Sequence, residues 1–265
     1  MSPAISSWFH AARGSLARGR EAAKRLSGLG LDLLYPPHCA FCMGELSLAA
    51  DEIALCEACH ERLAHPLGPV CRRCGATVPE FHALADCPRC RDPRRHFAGT
   101  VLLGRYQTEL HDAVLRTKRA GGAPLAMALG RLLALRRTAE LAATPCDLVA
   151  PVPMHWTRCV VRGINGPELL AESLADALKV RLARDLLFFR RRTLTQASLS
   201  PRMRFANVRW ALGVSRSWSI AGARILIVDD VMTTGATCSE AAKVLTKRGA
   251  AAVYIAVVAR AEGSM

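Results

Sequence analysis

Aromatic residues make up only 5% of this 265-residue chain, and its 22 acidic residues face 36 Lys and Arg. So few aromatics leave little material for the stacking platform on which single-stranded nucleic acid is usually held. Long apolar runs are missing too: nothing approaches the roughly 18 consecutive apolar residues of a membrane-spanning helix. Within residues 1–34, Arg13, Arg18, Arg20, Lys24 and Arg25 interrupt the apolar core that a secretory signal requires. No helix-turn-helix pattern is recognisable, which counts against a transcriptional regulator. The expected compartment is the cytoplasm.

What is present is a globular chain, 51% apolar and long enough for one good-sized core plus a smaller module. Its formal charge of +14 is unevenly placed. Residues 96–223 hold 19 basic and 8 acidic groups, so +11 of the +14 lies in the middle. An excess of that size predicts affinity for phosphates, on a small molecule or along a nucleic acid. Residues 1–34 have helical character, with Trp8, Phe9, Ala12, Leu16 and Ala23 as candidate inward positions. Such a basic amphipathic segment packs on the domain that follows or lies on a membrane surface.

Eleven cysteines in a cytoplasmic chain need a reason. Eight form four Cys-x2-Cys pairs: Cys39 and Cys42, Cys56 and Cys59, Cys71 and Cys74, Cys87 and Cys90. Thirteen residues separate the first two pairs and twelve the last two, enough for a hairpin to bring two knuckles together. Two closed, structural zinc sites, each of four cysteines, follow. Thiol exchange would need one pair opening a helix after a strand, and four evenly repeated pairs argue against it. Sequential pairing is simplest, and a crossed arrangement stays open. Cys146, Cys159 and Cys238 lack partners and read as buried small apolar residues.

The stretch Ile225 to Thr237 organises the remainder. Its apolar run, without polar alternation, suits a strand buried on both faces at the centre of a parallel sheet. Asp229 and Asp230 are read as ending that strand at the carboxyl edge, where open α/β sheets bind ligands. Thr233, Thr234, Gly235, Ala236 and Thr237 form a small-residue turn into a helix with Ala241, Val244 and Leu245 on one stripe. Backbone N–H groups of such a turn and the helix N-terminus favour a phosphate. The two carboxylates would then face neutral donors or a cation, which sugar hydroxyls and Mg²⁺ both satisfy.

Other elements can be placed around it. Residues 99–106 suggest a strand, and Leu110, Val114 and Leu115 a short helix ending at Gly121-Gly122. Pro124 opens a longer helix with Leu125, Leu129, Leu132 and Leu133 inward. Lys118 reads as a cation favourable to a helix C-terminus. A second apolar strand, Asp147 to Val152, exits rigidly through Pro151-Val152-Pro153. Pro167 follows as a first helical residue with Asn165 or Gly166 as cap, and Leu169, Leu170, Leu174 and Leu178 on the buried face. Residues 181–209 carry eight Arg against Asp185 alone. Thr193 to Ser200 within them is read as a loop or mobile ribbon that a polyanion would order.

The segment Val228 to Thr237 resembles the phosphoribosyl-pyrophosphate (PRPP) signature of type I phosphoribosyltransferases. That resemblance implies that Asp229 and Asp230 hold the ribose hydroxyls and Thr233, Thr234, Gly235, Ala236 and Thr237 the 5′-phosphate. The cysteine-rich start, Pro151-Val152-Pro153, Arg162-Gly163-x-Asn165, Arg192-Thr193-x-x-Gln196 with Arg204 and Asn207, and Ala259-Arg260 together resemble the ComF (competence protein F) family from Leu33 onward. Membership implies a zinc ribbon joined to a phosphoribosyltransferase-type domain and a part in handling incoming single-stranded DNA during natural transformation. After Arg162-Gly163-x-Asn165 the family has Gln and a small residue, where this chain has Gly166-Pro167.

The expected organisation is a basic helical segment at 1–34, a double zinc ribbon at 35–95, and at 96–265 a phosphoribosyltransferase-like α/β domain with a mostly parallel sheet. The expected chemistry is displacement at the ribose anomeric carbon of Mg²⁺-bound PRPP. Pyrophosphate would leave with help from Arg donors near Pro153, Arg162, Arg192 and Arg204. No residue stands out as general base. The alternative is a single-stranded-DNA-binding accessory of DNA uptake, working with other uptake proteins, whose PRPP pocket is regulatory or vestigial.

Overall fold

The computed structural model describes residues 36–47, 53–79, 87–154, 165–194 and 199–261. The expected helical segment at 1–34, Arg162, Cys159 and the centre of the basic loop, 195–198, lie outside the described residues. Contacts divide the chain after Cys56 into two compact units, 1–56 and 57–265. Among the described residues, no helix is long and apolar enough to cross a membrane.

In the first unit Cys39 opens a tight knuckle: Met43 N donates to Cys39 O at 2.9 Å, Cys39 N donates to Gly44 O at 2.8 Å, and His38 bridges Glu45. Phe41, Ile53 and Leu55 are its buried apolar residues.

The second unit begins with helix α1 (Glu57–Leu63) and a second knuckle, where Gly75 N donates to Cys71 O at 2.8 Å and Val70 bridges Thr77. A 3-10 turn (Pro88–Arg91) carries Cys90. Then come β1 (Gly99–Arg105), α2 (Thr108–Thr117), α3 (Ala123–Arg136), α4 (Thr138–Ala142), β2 (Leu148–Pro151) and α5 (Gly166–Leu178). The chain continues through β3 (Arg181–Leu182), β4 (Leu187–Phe189), α6 (Pro201–Val208), β5 (Leu212–Val214), β6 (Arg224–Met232), α7 (Ala236–Lys247) and β7 (Ala252–Arg260). Proline stands in the first turn of α3, α5 and α6, where its missing N–H costs nothing.

Five strands form one parallel sheet in the order β1-β7-β6-β2-β3, while β4 and β5 make a separate antiparallel pair. Centrality explains the continuous apolar runs: β6 and β7 are covered on both faces, and Ile225, Leu226, Ile227, Ile255 and Val257 are fully buried. Helices α3 and α5 press together on one face, and α7 lies on the other. The α7 face shares its core with Cys71, Cys74, Cys87, Cys90 and Phe97, so the second knuckle is built into the packing of the sheet. It also caps the edge strand, as Thr100 N and Oγ1 donate to Arg72 O and Arg73 O at 2.9 and 2.8 Å.

Several local expectations need correction. The strand holding the acidic pair does not stop at Asp229: β6 runs on to Met232, because β7 stays in register beside it to the pair Met232↔Arg260. Helix α7 starts at Ala236, so the turn is only Thr233 to Gly235 and Thr237 is already helical. Leu115 is 38% exposed while Leu110 and Val114 are buried. Leu169 and Leu178 are half-buried, leaving Leu170 and Leu174 as the core contacts of α5. Cys238 is buried as expected, but Cys146 is only half-buried.

Candidate functional site

Strand order reverses between β2 and β6. From β2 the chain moves outward to β3, and from β6 it moves the other way to β7. Helices therefore leave that point on opposite faces, and the crevice at the carboxyl ends of β2 and β6 is where an open α/β sheet receives a ligand. Residues on both sides are those singled out in the sequence: Pro151, Val152 and half-buried Pro153 from β2, and Asp229 to Gly235 from β6. At this rim β6 outruns β2: Val152 N gives the last bond between them, to Val228 O at 2.8 Å. Beyond it Asp229 Oδ1 accepts from Asp230 N at 2.9 Å and Asp230 Oδ1 from Val231 N at 2.7 Å.

The carboxylates are not equivalent. Successive strand residues face opposite sides. Asp230 faces α2, whose C-cap residue Lys118 places Nζ 2.8 Å from its Oδ2. Asp229 faces α7, where its field helps raise the pKa of Cys238, although burial is the larger cause there. Burial, and then the Asp230 carboxylate, push the Asp229 pKa well above the usual carboxylate range, against the Asp230 N–H and Lys118. The two acids thus share a rim and reach it from different faces.

The turn that follows is built for close approach. Gly235 is the N-cap of α7 with φ +78°, a left-handed conformation that suits glycine. Ala236 N donates to Thr234 Oγ1 at 3.4 Å, Gly235 and Ala236 are buried, and Thr233, Thr234 and Thr237 are half-buried. The helix thereby aims its N-terminus at the rim carrying the carboxylates.

Two of the remaining candidate donors fall among the described residues. Arg192 is exposed just beyond β4, and Arg204 lies in α6 with Nε on Leu199 O at 3.0 Å. Helix α6 packs on α7. Asn207 closes the basic loop through Leu194, accepting from its N at 2.9 Å and donating to its O at 3.0 Å.

The eight cysteines gather as two sets, Cys39, Cys42, Cys56 and Cys59, and Cys71, Cys74, Cys87 and Cys90, with all four sulfurs of each set within 4.8 Å of one another. Pairing is sequential, and the crossed alternative falls away. Sulfur separations of 3.5 to 3.7 Å approach the edge of about 3.8 Å expected around a metal with bonds of about 2.3 Å. Burial pushes the Cys39 and Cys71 thiols up, yet backbone N–H groups of the knuckles hold them down at about 6 and about 7. Closed sets of four thiolate donors fit structural zinc and leave no position for a substrate.

Residues 30–92 match the double zinc ribbon domain family, and residues 160–264 match the phosphoribosyl transferase domain family. The DNA utilization protein YhgH of Escherichia coli O6:H1 is 32% identical over 228 residues, 84% of this chain and 96% of that protein. Competence protein F of Haemophilus influenzae is 29% identical over 230 residues, again 84% of this chain and 96% of that one. This chain belongs to the competence protein F family. Among solved structures, a glutamine PRPP amidotransferase from B. subtilis complexed with ADP and GMP aligns at a TM-score of 0.35 and 21% identity. That alignment covers 54% of this chain and 28% of that one, a likeness too partial to carry an argument.

Two features of this ComF-family protein were not assigned from sequence. Lys118 is a direct partner of Asp230 across the fold, and no local pattern links residues so far apart. Two of the scarce aromatics also line one groove. Trp210, 64% exposed and at φ +57°, and half-buried Phe205 line a groove of about 670 Å³ between α6 and α7. Arg209 stacks on Trp210 at 4.1 Å and Arg94 on Phe205 at 4.2 Å.

Proposed function

We propose that the crevice between β2 and β6 binds Mg²⁺-PRPP and supports displacement at the ribose anomeric carbon. The observation that carries this reading is the coincidence, at the sheet's reversal point, of an acidic pair and the N-terminus of α7 behind a left-handed glycine. Asp229 and Asp230 accept from the ribose hydroxyls, and Asp230 exchanges its bond to Lys118 for one to the sugar. The 5′-phosphate lies on Thr233 to Thr237, where N–H groups and hydroxyls converge. Arg162, Arg192 and Arg204, with the rigid exit at Pro153, serve the pyrophosphate. The acceptor's bond to C1 forms as the bond from C1 to the pyrophosphate oxygen breaks, and the carboxylates stabilise the electron-poor sugar. Residues 35–95 hold structural zinc in this reading, and 96–265 the chemistry. Cysteines gathered in two sets of four as metal ligands fit a reducing cytoplasm.

A calorimetric titration of PRPP with Mg²⁺ tests it. Heat is expected from the parent and none from an Asp229→Ala, Asp230→Ala double variant; equal heat from both would remove the assignment. Pyrophosphate release across a panel of bases and amines then identifies the acceptor.

The groove between α6 and α7 favours a second activity, binding of single-stranded DNA during uptake, in keeping with the names of the relatives. Arg94, Arg191, Arg209 and Lys243 line it beside Phe205 and Trp210. An adjoining groove of about 330 Å³ continues over Arg190, Arg216, Lys247 and Arg248, sharing Trp210, Glu240 and Lys243. Buried Glu240 fixes the strained tryptophan by accepting from Trp210 N at 2.7 Å. A stacked base contributes about 1–3 kcal/mol, so Trp210→Ala should weaken oligonucleotide binding about tenfold. Affinity should fall steeply between low and physiological salt. Absence of binding at low salt would end this reading and leave the PRPP site untouched.

A further inference from the structure

Ala259-Arg260 is the last segment singled out in the sequence, and neither the ribose nor the phosphate assignment uses it. Arg260 ends β7 with its guanidinium turned inward. It is 2% exposed, Nη1 donates to Met232 O at 2.8 Å and to Ala261 O at 3.2 Å, and Nε has no partner. A Cβ on Gly75, in the second knuckle, would stand 3.9 Å from its Cδ, and its field reaches Cys74 and Arg95.

Arg95 repeats the pattern from the other side of the turn. It is 9% exposed, Nε donates to Arg89 O at 2.8 Å between the third and fourth ligand positions, and its own carbonyl accepts from Arg73 at 3.3 Å. Its Nη1 has no partner, and a Cβ on Gly235 would meet that atom at 3.1 Å. Neither guanidinium bonds a carboxylate among the described residues.

Two buried like charges, each with an unused donor, need an anion, because an uncompensated buried charge is strongly unfavourable. The adjoining group that becomes anionic is the tetracysteine set of residues 71, 74, 87 and 90, 0–4% exposed. Four thiolates and one Zn²⁺ sum to 4 × (−1) + 2 = −2, the opposite of the two guanidiniums. We infer that Arg95 and Arg260 are the counter-charges of this zinc centre and, through Gly235 and the Met232 carbonyl, the brace under the phosphate turn. Metal loading at the second knuckle and ligand binding at the turn are then linked. Arg95 and Arg260 are positioning residues. The second half of the inference rests on the PRPP reading; the first half does not.

Native mass spectrometry of the full chain under graded chelator tests the zinc half. The parent should carry two zinc ions. Arg260→Met and Arg95→Met should each release one of them at a chelator concentration at least tenfold lower, while the other ion, at Cys39, Cys42, Cys56 and Cys59, is retained and a parent-like far-ultraviolet circular dichroism spectrum of the zinc-loaded variants reports that the α/β unit is folded. Arg260→Lys should hold both, since it keeps the charge. Parent-like retention of both ions in the two Met variants, or equal loss in Arg260→Lys and Arg260→Met, would overturn the counter-charge role. For the brace, PRPP should bind the one-zinc Arg260→Met form at least tenfold more weakly than the parent, and parent-like affinity there would overturn it. No binding by the parent itself would instead strike the PRPP reading and leave the zinc result standing.

Discussion

Asp229 makes the site sensitive to pH. Its pKa is raised by burial and by the neighbouring carboxylate, so the folded chain keeps a proton that the unfolded chain gives up above about pH 4. The unfolded state then binds fewer protons than the folded one, and stability falls as pH rises from about 4 toward the raised value. Urea unfolding of the ligand-free protein across that window should show the decline, and Asp229→Asn should flatten it. PRPP affinity should move oppositely, rising with pH, because hydroxyl donors require the ionised carboxylate. Lys118→Met leaves Asp230 without its cation and should cost about 1 kcal/mol in the same assay. At Gly235, φ +78° and Arg95 Nη1 at 3.1 Å from the Cβ position make Gly235→Ala unfavourable by about 1–2 kcal/mol. The acids and the glycine are legible in the sequence because their chemistry is local. The lysine is not, because its meaning depends on where α2 ends.

Elements divide in the same way. The β6–α7 unit can be read from its apolar run, its Thr-Gly turn and its helical stripe, but its boundary cannot. Continuation past Asp229 comes from β7 pairing alongside, a non-local cause. Helix α6 and the β4–β5 pair are harder, since each strand has three residues and the partners lie on either side of the basic loop. Helices α3 and α5, by contrast, announce themselves through proline starts and leucine spacing, and what brings them together is Gly130. A Cβ there would lie 2.7 Å from Ser173 Cβ and 3.1 Å from Leu170 O. Gly130→Ala should therefore push the helices apart and cost about 1–3 kcal/mol, measurable by thermal unfolding.

At the scale of the whole molecule, charge and metal set the behaviour. Cysteine spacing shows that there are two tetracysteine sets, yet it cannot show that the second shares a core with Ile225, Ile255 and Leu245. Stripping zinc should accordingly lower the melting temperature of the unit 57–265 and not merely loosen one knuckle. The low aromatic content counts against nucleic-acid stacking only as an average. Folding gathers Trp210 and Phe205 among arginines that are scattered along the sequence.

Amide hydrogen exchange of the zinc-loaded chain with and without Mg²⁺ and PRPP locates the ligand on the fold. Slowed exchange is expected at 228–239 and at 150–154, where β6, α7 and the end of β2 meet, with the groove at 205–216 unchanged. Protection confined to that groove, or no protection at saturating PRPP, would contradict that placement.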